Sequence, residues 1–236
     1  MSPAERVLVV LAHPDDPEFY CGATVARWCD EGREVLYCLL TRGDKGDDDP
    51  AADVQALARQ REIEQRNAAR HLGVRDVTFL DHPDGYLVPD LALRKDIVRV
   101  LRQVRPDVVV TCDPTNFYPN STYINHPDHR AAGHATLDAI FPASGAGPFF
   151  PELIRDEGLM PHKIRQVYIA GTQNPNTVVD VTAFVDRKIE ALRMHVSQIR
   201  DPEEMAQRVR ERMLDAASPP DAPRYVERFM RLDLGG

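Results

Sequence analysis

The sequence of 236 residues lacks the features that mark disulfide-rich, membrane-spanning and nucleic-acid-binding proteins. Its four cysteines form no Cys-x-x-Cys pair, which argues against a thiolate zinc site and a disulfide framework. Its net charge of −8 gives no general attraction to nucleic acid or anionic membranes. The first apolar run, residues 7–12, is too short to span a bilayer, and the residues before it lack the basic and apolar regions of a signal peptide. We therefore expect a cytoplasmic protein that neither inserts into membranes nor binds nucleic acid.

The glycine-rich fingerprint of dinucleotide-binding folds is also missing. In those folds, Gly-x-Gly-x-x-Gly follows the first strand and receives the pyrophosphate. Here the first apolar run is followed by His13-Pro14-Asp15-Asp16, whose carboxylates would repel a pyrophosphate. The sequence therefore disfavours a nucleotide-binding module.

Short apolar runs alternate with amphipathic stretches along the chain. The predicted strands cover residues 6–12, 34–40, 77–80, 107–112, 166–170 and 177–181. The predicted helices cover residues 21–31, 54–72, 91–104, 127 to about 141, 184–195 and 201–214. This alternation predicts an α/β fold, with a mostly parallel sheet and helices on both faces. We expect residues 142–162, rich in Pro and Gly, to form a long surface loop, and residues 1–236 to form one domain.

Two short segments combine histidine and aspartate, His-Pro-Asp-Asp at residues 13–16 and His-Pro-Asp-His at residues 126–129. Each follows a predicted strand or lies downstream of one, and functional groups gather beyond the carboxyl ends of parallel strands. His13, Asp16 and His129 would form a set of two imidazoles and one carboxylate that leaves a metal coordination position open for water. The sequence therefore predicts a metal-dependent hydrolase.

The other residues of these segments suit proton transfer. Asp15 adjoins a predicted ligand and could take a proton from water. His126, protonated near neutral pH beside Asp128, could be an acid or an electrophile. Asp128 could also orient a neighbouring imidazole. Without a metal, the segments would be an acidic turn and a helix cap, so each alone is only suggestive.

The surroundings of both segments resemble the LmbE-like/PIG-L family of de-N-acetylases. Residues 12–19, followed by Gly22, resemble the first signature of that family, and residues 126–129 resemble the second. Further similarity lies at residues 39–44, 59–62, 72–74 and 105–108. The resemblance covers about residues 6 to 140, in order.

The resemblance implies a Rossmann-like fold and zinc-dependent hydrolysis of an N-acyl group, often on a glucosamine moiety. The implied metal ligands are His13, Asp16 and His129, binding Zn²⁺ with Fe²⁺ as the alternative ion. Carried over by position, Asp15 would be the general base and His126 would stabilise the tetrahedral oxyanion. Asp128 would orient a histidine. Arg59 and Asp84 would contact the substrate. The implied partner is a small N-acetylated sugar or sugar conjugate, and a homo-oligomer stays open.

This chain departs from the family pattern in two places. Ile124-Asn125 precede the second signature, where family members often have Asp or Arg. Residues 142–236 match only loosely, and we expect this part to be divergent and to shape substrate choice. We assign Arg61 to a solvated helix face and give His195 a structural or surface role.

Two other functions use the same residues. A non-haem Fe(II) oxygenase also binds its metal through two histidines and one carboxylate, but its usual scaffold is antiparallel, unlike the alternation predicted here. A catalytically silent binding relative would need no catalytic residues, whereas every matched catalytic position is filled in this sequence.

Overall fold

The computed structural model describes residues 4–235 as a seven-stranded sheet flanked by helices. The strands are β1 Arg6–Leu11, β2 Glu34–Leu39, β3 Asp76–Phe79, β4 Val108–Cys112, β5 Gln166–Ala170, β6 Thr177–Asp180 and β7 Val226–Asp233. The helices are α1 Asp16–Asp30, α2 Val54–Leu72, α3 Leu91–Val104, α4 Pro127–Asp138, α5 Pro151–Arg155, α6 Val185–Arg193 and α7 Pro202–Met213. The strand order is β3-β2-β1-β4-β5-β7-β6. The predicted α/β class is confirmed.

Strands β1 to β5 form the parallel part of the sheet. Central strand β1 has Val7 paired with Val35 of β2 and with Val108 of β4. Its apolar side chains are buried on both faces, as expected for a strand covered by helices on either side. Helices α1, α2 and α6 pack together, as do α3 and α4. Within residues 4–235, no helix is long and apolar enough to cross a membrane.

Strand β7 is not predicted by the sequence pattern and is antiparallel to both β5 and β6. An antiparallel strand needs only one buried face, so charged residues interrupt its apolar pattern. Glu227 is nevertheless buried, because the ammonium group of Lys188 donates a hydrogen bond to it over 2.7 Å. The strand therefore showed no continuous apolar run from which to predict it.

The prediction of a long surface loop at residues 142–162 is wrong in part. This segment contains α5, and Leu153 is fully buried. The buried guanidinium of Arg102 donates hydrogen bonds to several backbone carbonyls here, including that of Ala143. A single cation thus replaces regular secondary structure as the partner of these carbonyls, which the Pro and Gly content did not reveal.

Both His/Asp segments lie where a helix begins. Helix α1 starts five residues earlier than predicted, with Pro17 in its first turn and Asp15 at its N-cap. Helix α4 starts at Pro127, and the His126 side chain caps it by accepting a hydrogen bond from the Asp128 backbone N–H. Because positive helix N-termini face this edge of the sheet, carboxylates are favoured there.

Candidate metal centre and active site

Side-chain donor atoms of three residues from the two segments converge at the carboxyl edge of the sheet. His13 Nδ1 lies 3.3 Å from Asp16 Oδ2 and 3.3 Å from His129 Nε2. His129 Nε2 lies 3.0 Å from Asp16 Oδ1. Ligands around a tetrahedral Zn²⁺ at about 2.0–2.1 Å are themselves about 3.3 Å apart. The spacing of these atoms therefore fits a small divalent ion.

The other ring nitrogen of His13 is held by buried carboxylates. His13 Nε2 lies 3.2 Å from Asp128 Oδ2 and 3.1 Å from Asp84 Oδ1. The backbone N–H groups of Gly85 and Leu87 donate to the same Asp128 carboxylate, at 2.7 and 3.1 Å. A proton on Nε2 satisfies the carboxylates and leaves Nδ1 free to offer its lone pair to a metal. The histidine that Asp128 orients is thus His13.

Asp84 contacts the same ring nitrogen of His13, Nε2. Its carboxylate is buried and accepts a hydrogen bond from the Lys45 backbone N–H over 2.8 Å. Despite the cost of burial, contact with His13 lowers the pKa of Asp84 to about 2. Two compact donor groups include His13, one with His126 and His129 and the other with Asp84 and Asp128. In the second group both carboxylates face Nε2 of His13, not the Nδ1 that meets Asp16 and His129, so this group is better suited to orient His13 than to surround an ion.

The charges of the cluster favour a cation. Burial disfavours the charged form of His13, but hydrogen bonds to Asp128, Asp16 and Asp84 outweigh it and raise the pKa of His13. Burial likewise opposes ionisation of Asp16, yet the nearby His129 holds the pKa of Asp16 well below its usual range. The carboxylates therefore stabilise positive charge at the point where the donor atoms of His13, Asp16 and His129 meet, and the donor set fits a divalent metal.

Asp15 lies beside the donor group in a strained backbone conformation, with φ at 87°. Its N–H donates to Gln65 Oε1 over 2.8 Å, and Arg61 Nη2 lies 3.3 Å from its Oδ2. Burial raises the pKa of Asp15 to about 6, while the charge of Arg61 opposes this rise. Asp15 is therefore ionised at neutral pH but remains a stronger base than an exposed aspartate.

The assignment of Arg61 to a solvated face is wrong, because Arg61 is 4% exposed and also donates to the carbonyls of Pro14 and Gly43. Arg59, the predicted substrate contact, is exposed. A signal was present in the sequence, since Arg61 falls on the stripe of α2 that is buried. That stripe comprises Ala58, Arg61, Glu64, Gln65, Ala68, Ala69 and Leu72.

His195 and Glu18 form a fully buried pair behind Asp15. His195 Nε2 lies 3.2 Å from Glu18 Oε2, and the Gln65 amide group donates to both Glu18 oxygens over 3.0 Å. The Glu18 carboxylate thereby turns Gln65 Oε1 towards the N–H of Asp15. The sequence pattern does not predict this arrangement, because no spacing rule connects residues 177 positions apart.

The surroundings of His126 oppose its protonation. Burial and the neighbouring His13 and His129 lower the pKa of His126, and Asp128 does not compensate. This direction disfavours the imidazolium that the sequence predicts near neutral pH. His126 Nδ1 accepts the Asp128 N–H, so the neutral ring carries its proton on Nε2 and can donate from there. The rings of His126 and His13 meet edge to face, with centroids 4.7 Å apart.

Fold and site together define a class of protein, an α/β fold with a candidate divalent-metal centre at the carboxyl ends of its parallel strands. The model of one family, PIG-L: GlcNAc-PI de-N-acetylase, matches residues 8–140. The chain belongs to this family, as the two signature segments predict.

Similar proteins extend the match beyond residue 140. Diacetylchitobiose deacetylase from Thermococcus kodakarensis is 37% identical, over 82% of this chain and 70% of the relative. The 1D-myo-inositol 2-acetamido-2-deoxy-alpha-D-glucopyranoside deacetylase from Kineococcus radiotolerans is 32% identical, over 82% of this chain and 69% of the relative. In structure, N,N'-diacetylchitobiose deacetylase from Pyrococcus horikoshii matches 98% of this chain and 84% of its own, with a TM-score of 0.86 and 31% identity. None of these relatives supports the oxygenase alternative.

Proposed function

We propose that this chain is a metal-dependent hydrolase that removes an N-acetyl group from an amino sugar or amino-sugar conjugate. The observation that carries the proposal is the convergence of His13, Asp16 and His129, with the carboxylate of Asp15 beside them. The names of its relatives support the reaction and the substrate class, since each describes the deacetylation of an acetylated amino sugar.

We propose that His13, Asp16 and His129 hold the ion, which we take to be Zn²⁺, with Fe²⁺ as the alternative. A divalent ion in such a site lowers the pKa of water and polarises an acyl carbonyl. The adjoining residues then have to move the proton of the attacking water to the leaving amine and to stabilise the negative charge of the oxyanion.

Asp15 suits the proton transfers because it is ionised at neutral pH and its pKa is about 6. It takes a proton from the attacking water as the new carbon–oxygen bond forms. When the carbon–nitrogen bond breaks, the same carboxyl group returns the proton to the leaving amine. Base and acid are therefore one residue used twice.

His126 suits the stabilisation of the oxyanion. Its Nδ1 is occupied by the N–H of Asp128, which leaves Nε2–H as the donor. A neutral donor of this kind contributes typically about 10²–10³ in turnover when it is placed at the developing negative charge. Its hydrogen bond becomes stronger only as that charge forms, so it favours the transition state over the substrate.

We propose that the chain works as one domain, because one hydrogen-bonded sheet includes strands from both sides of residue 142. Residues 142–236 would shape substrate choice. Arg59, which is exposed, stays a candidate for contact with a sugar. For Asp84 we favour the positioning of His13 over the predicted contact with substrate.

An assay of acetate release tests the proposal. The panel should include diacetylchitobiose, the inositol conjugate named above and free N-acetylglucosamine. We expect release from at least one compound, loss of release after chelation, and recovery with Zn²⁺ or Fe²⁺. An absence of release from every compound by protein shown to contain metal would overturn the proposal.

A further inference from the structure

We propose that Asn125 is a positioning residue that selects which nitrogen of His129 is offered to the metal. The inference rests on the proposed metal site but not on the identity of the substrate. Asn125 is 5% exposed and lies directly before the second His/Asp segment. The amide nitrogen and the amide oxygen of Asn125 face different partners, and this difference fixes the orientation of the side chain.

The orientation of the Asn125 amide is set by its nitrogen. Asn125 Nδ2 donates a hydrogen bond to the backbone carbonyl of Asn116 over 2.8 Å. A carbonyl oxygen can only accept, so the amide cannot be reversed without losing this bond. The Asn125 backbone N–H also donates to the carbonyl of Phe117, which fixes the main chain. Asn125 Oδ1 is therefore directed at His129 Nδ1, 3.1 Å away.

The amide oxygen requires a proton on His129 Nδ1, because it can accept but cannot donate. If Nδ1 carried a lone pair, two acceptors would face each other at 3.1 Å inside the protein. With Nδ1 protonated, Nε2 is the nitrogen that can offer a lone pair. Nε2 is also the atom that lies 3.0 Å from Asp16 and 3.3 Å from His13 Nδ1.

Tyr20 is the competing partner of the same nitrogen. Its hydroxyl oxygen lies 3.1 Å from His129 Nδ1, and by donating it would select the opposite tautomer. A hydroxyl group can rotate and accept instead, whereas the amide oxygen has no such choice. Tyr20 therefore adapts to the tautomer that Asn125 imposes.

The two predicted histidine ligands thus have different supports. His13 is backed by two carboxylates at its Nε2, while His129 is backed by a neutral amide at its Nδ1. A carboxylate raises the basicity of a ligating imidazole more than an amide does. A carboxylate at residue 125 should therefore strengthen metal binding, and an apolar side chain should weaken it.

The test measures the Kd for Zn²⁺ alone, by competition with a chelator, so it needs no substrate. Loss of a partner that orients a ligand typically weakens metal binding by about 10–100-fold, and we expect this for Asn125→Leu. Asn125→Asp keeps an acceptor for His129 but loses the donor to Asn116, and we expect it to bind Zn²⁺ at least as tightly as the unaltered protein. The matched control is Asn67→Leu on the exposed face of α2, with an unchanged Kd.

The two variants separate positioning from loop support. If the bond to Asn116 were the sole role of Asn125, Asn125→Asp would weaken binding as much as Asn125→Leu, and the proposal would fail. It would also fail if Tyr20→Phe cost more affinity than Asn125→Leu. Should Asn125→Leu not fold, ¹⁵N spectra of histidine in the Zn²⁺-loaded unaltered protein decide the matter. We expect a protonated Nδ1 on His129, and a protonated Nε2 there would overturn the proposal.

Failure of the proposed function would look different. A chain that binds Zn²⁺ and responds to Asn125→Leu, but releases no acetate from any sugar, keeps this inference and loses the deacetylase. A chain that deacetylates normally, with unchanged Zn²⁺ affinity in both Asn125 variants, keeps the deacetylase and loses this inference.

Discussion

The parallel part of the sheet and the C-terminal part of the chain contribute differently to the candidate site. The converging donor atoms all come from three residues of the parallel part, His13, Asp16 and His129. Each belongs to a segment of four residues, beside a strand end or a helix start. Here a few adjacent residues are enough to place the chemistry.

The C-terminal part instead supplies buried polar groups that support α1 from behind. His195 contacts Glu18, and Lys188 donates to the Phe19 carbonyl as well as to Glu227. Glu227 in turn accepts the backbone N–H of Thr24. The reactive atoms and their supports thus lie far apart in sequence, so a short signature can identify the first and not the second.

The largest expected effect tests the parallel part. Asp15→Asn removes the proposed base but keeps the shape of the side chain, so we expect kcat to fall by about 10²–10⁴ with little change in Zn²⁺ affinity. Metal analysis and steady-state kinetics measure both. Asp47→Asn, in an exposed loop, is the control with normal kcat. Near-normal turnover in Asp15→Asn would show that another residue is the base.

The next effect tests the C-terminal support. Lys188→Met leaves Glu227 buried without its cation, and breaking a buried ion pair in this way costs about 3–5 kcal/mol of unfolding free energy. Chemical denaturation measures the loss. Lys95→Met is the control, since its partner Glu152 is partly exposed and surface pairs contribute roughly 0–1 kcal/mol. Equal stability of the two variants would mean that the buried pair does not hold α1 in place.

The smallest effect is a shift along the pH axis. The positive charge of Arg61 favours the ionised form of Asp15, so Arg61→Gln should raise the pKa of Asp15. Because the base must be deprotonated to act, the acid-side midpoint of kcat/KM should move to higher pH, by roughly one unit. Arg59→Gln is the control on the same helix, with no movement of the midpoint. A shift in the Arg59 variant alone would restore Arg59 as the arginine of the site.

Sequence patterns predicted the parallel strands and the order of their helices because each is a local apolar repeat. They failed at β7, whose buried Glu227 depends on a lysine from another element. They also failed at Arg61, because charge was taken as a sign of exposure although the residue follows the buried spacing of α2. The lowered pKa of His126 depends on burial and on two other imidazoles, which only the folded chain brings together.

The left-handed backbone at Asp15 has a cost of its own. This conformation costs an L-residue roughly 1–2 kcal/mol, although aspartate tolerates it better than most residues other than glycine. A glycine at residue 15 would relax the turn but would carry no carboxylate. The chain therefore accepts this backbone strain to hold a carboxylate at residue 15, and the hydrogen bond from the Asp15 N–H to Gln65 helps to hold the conformation in place.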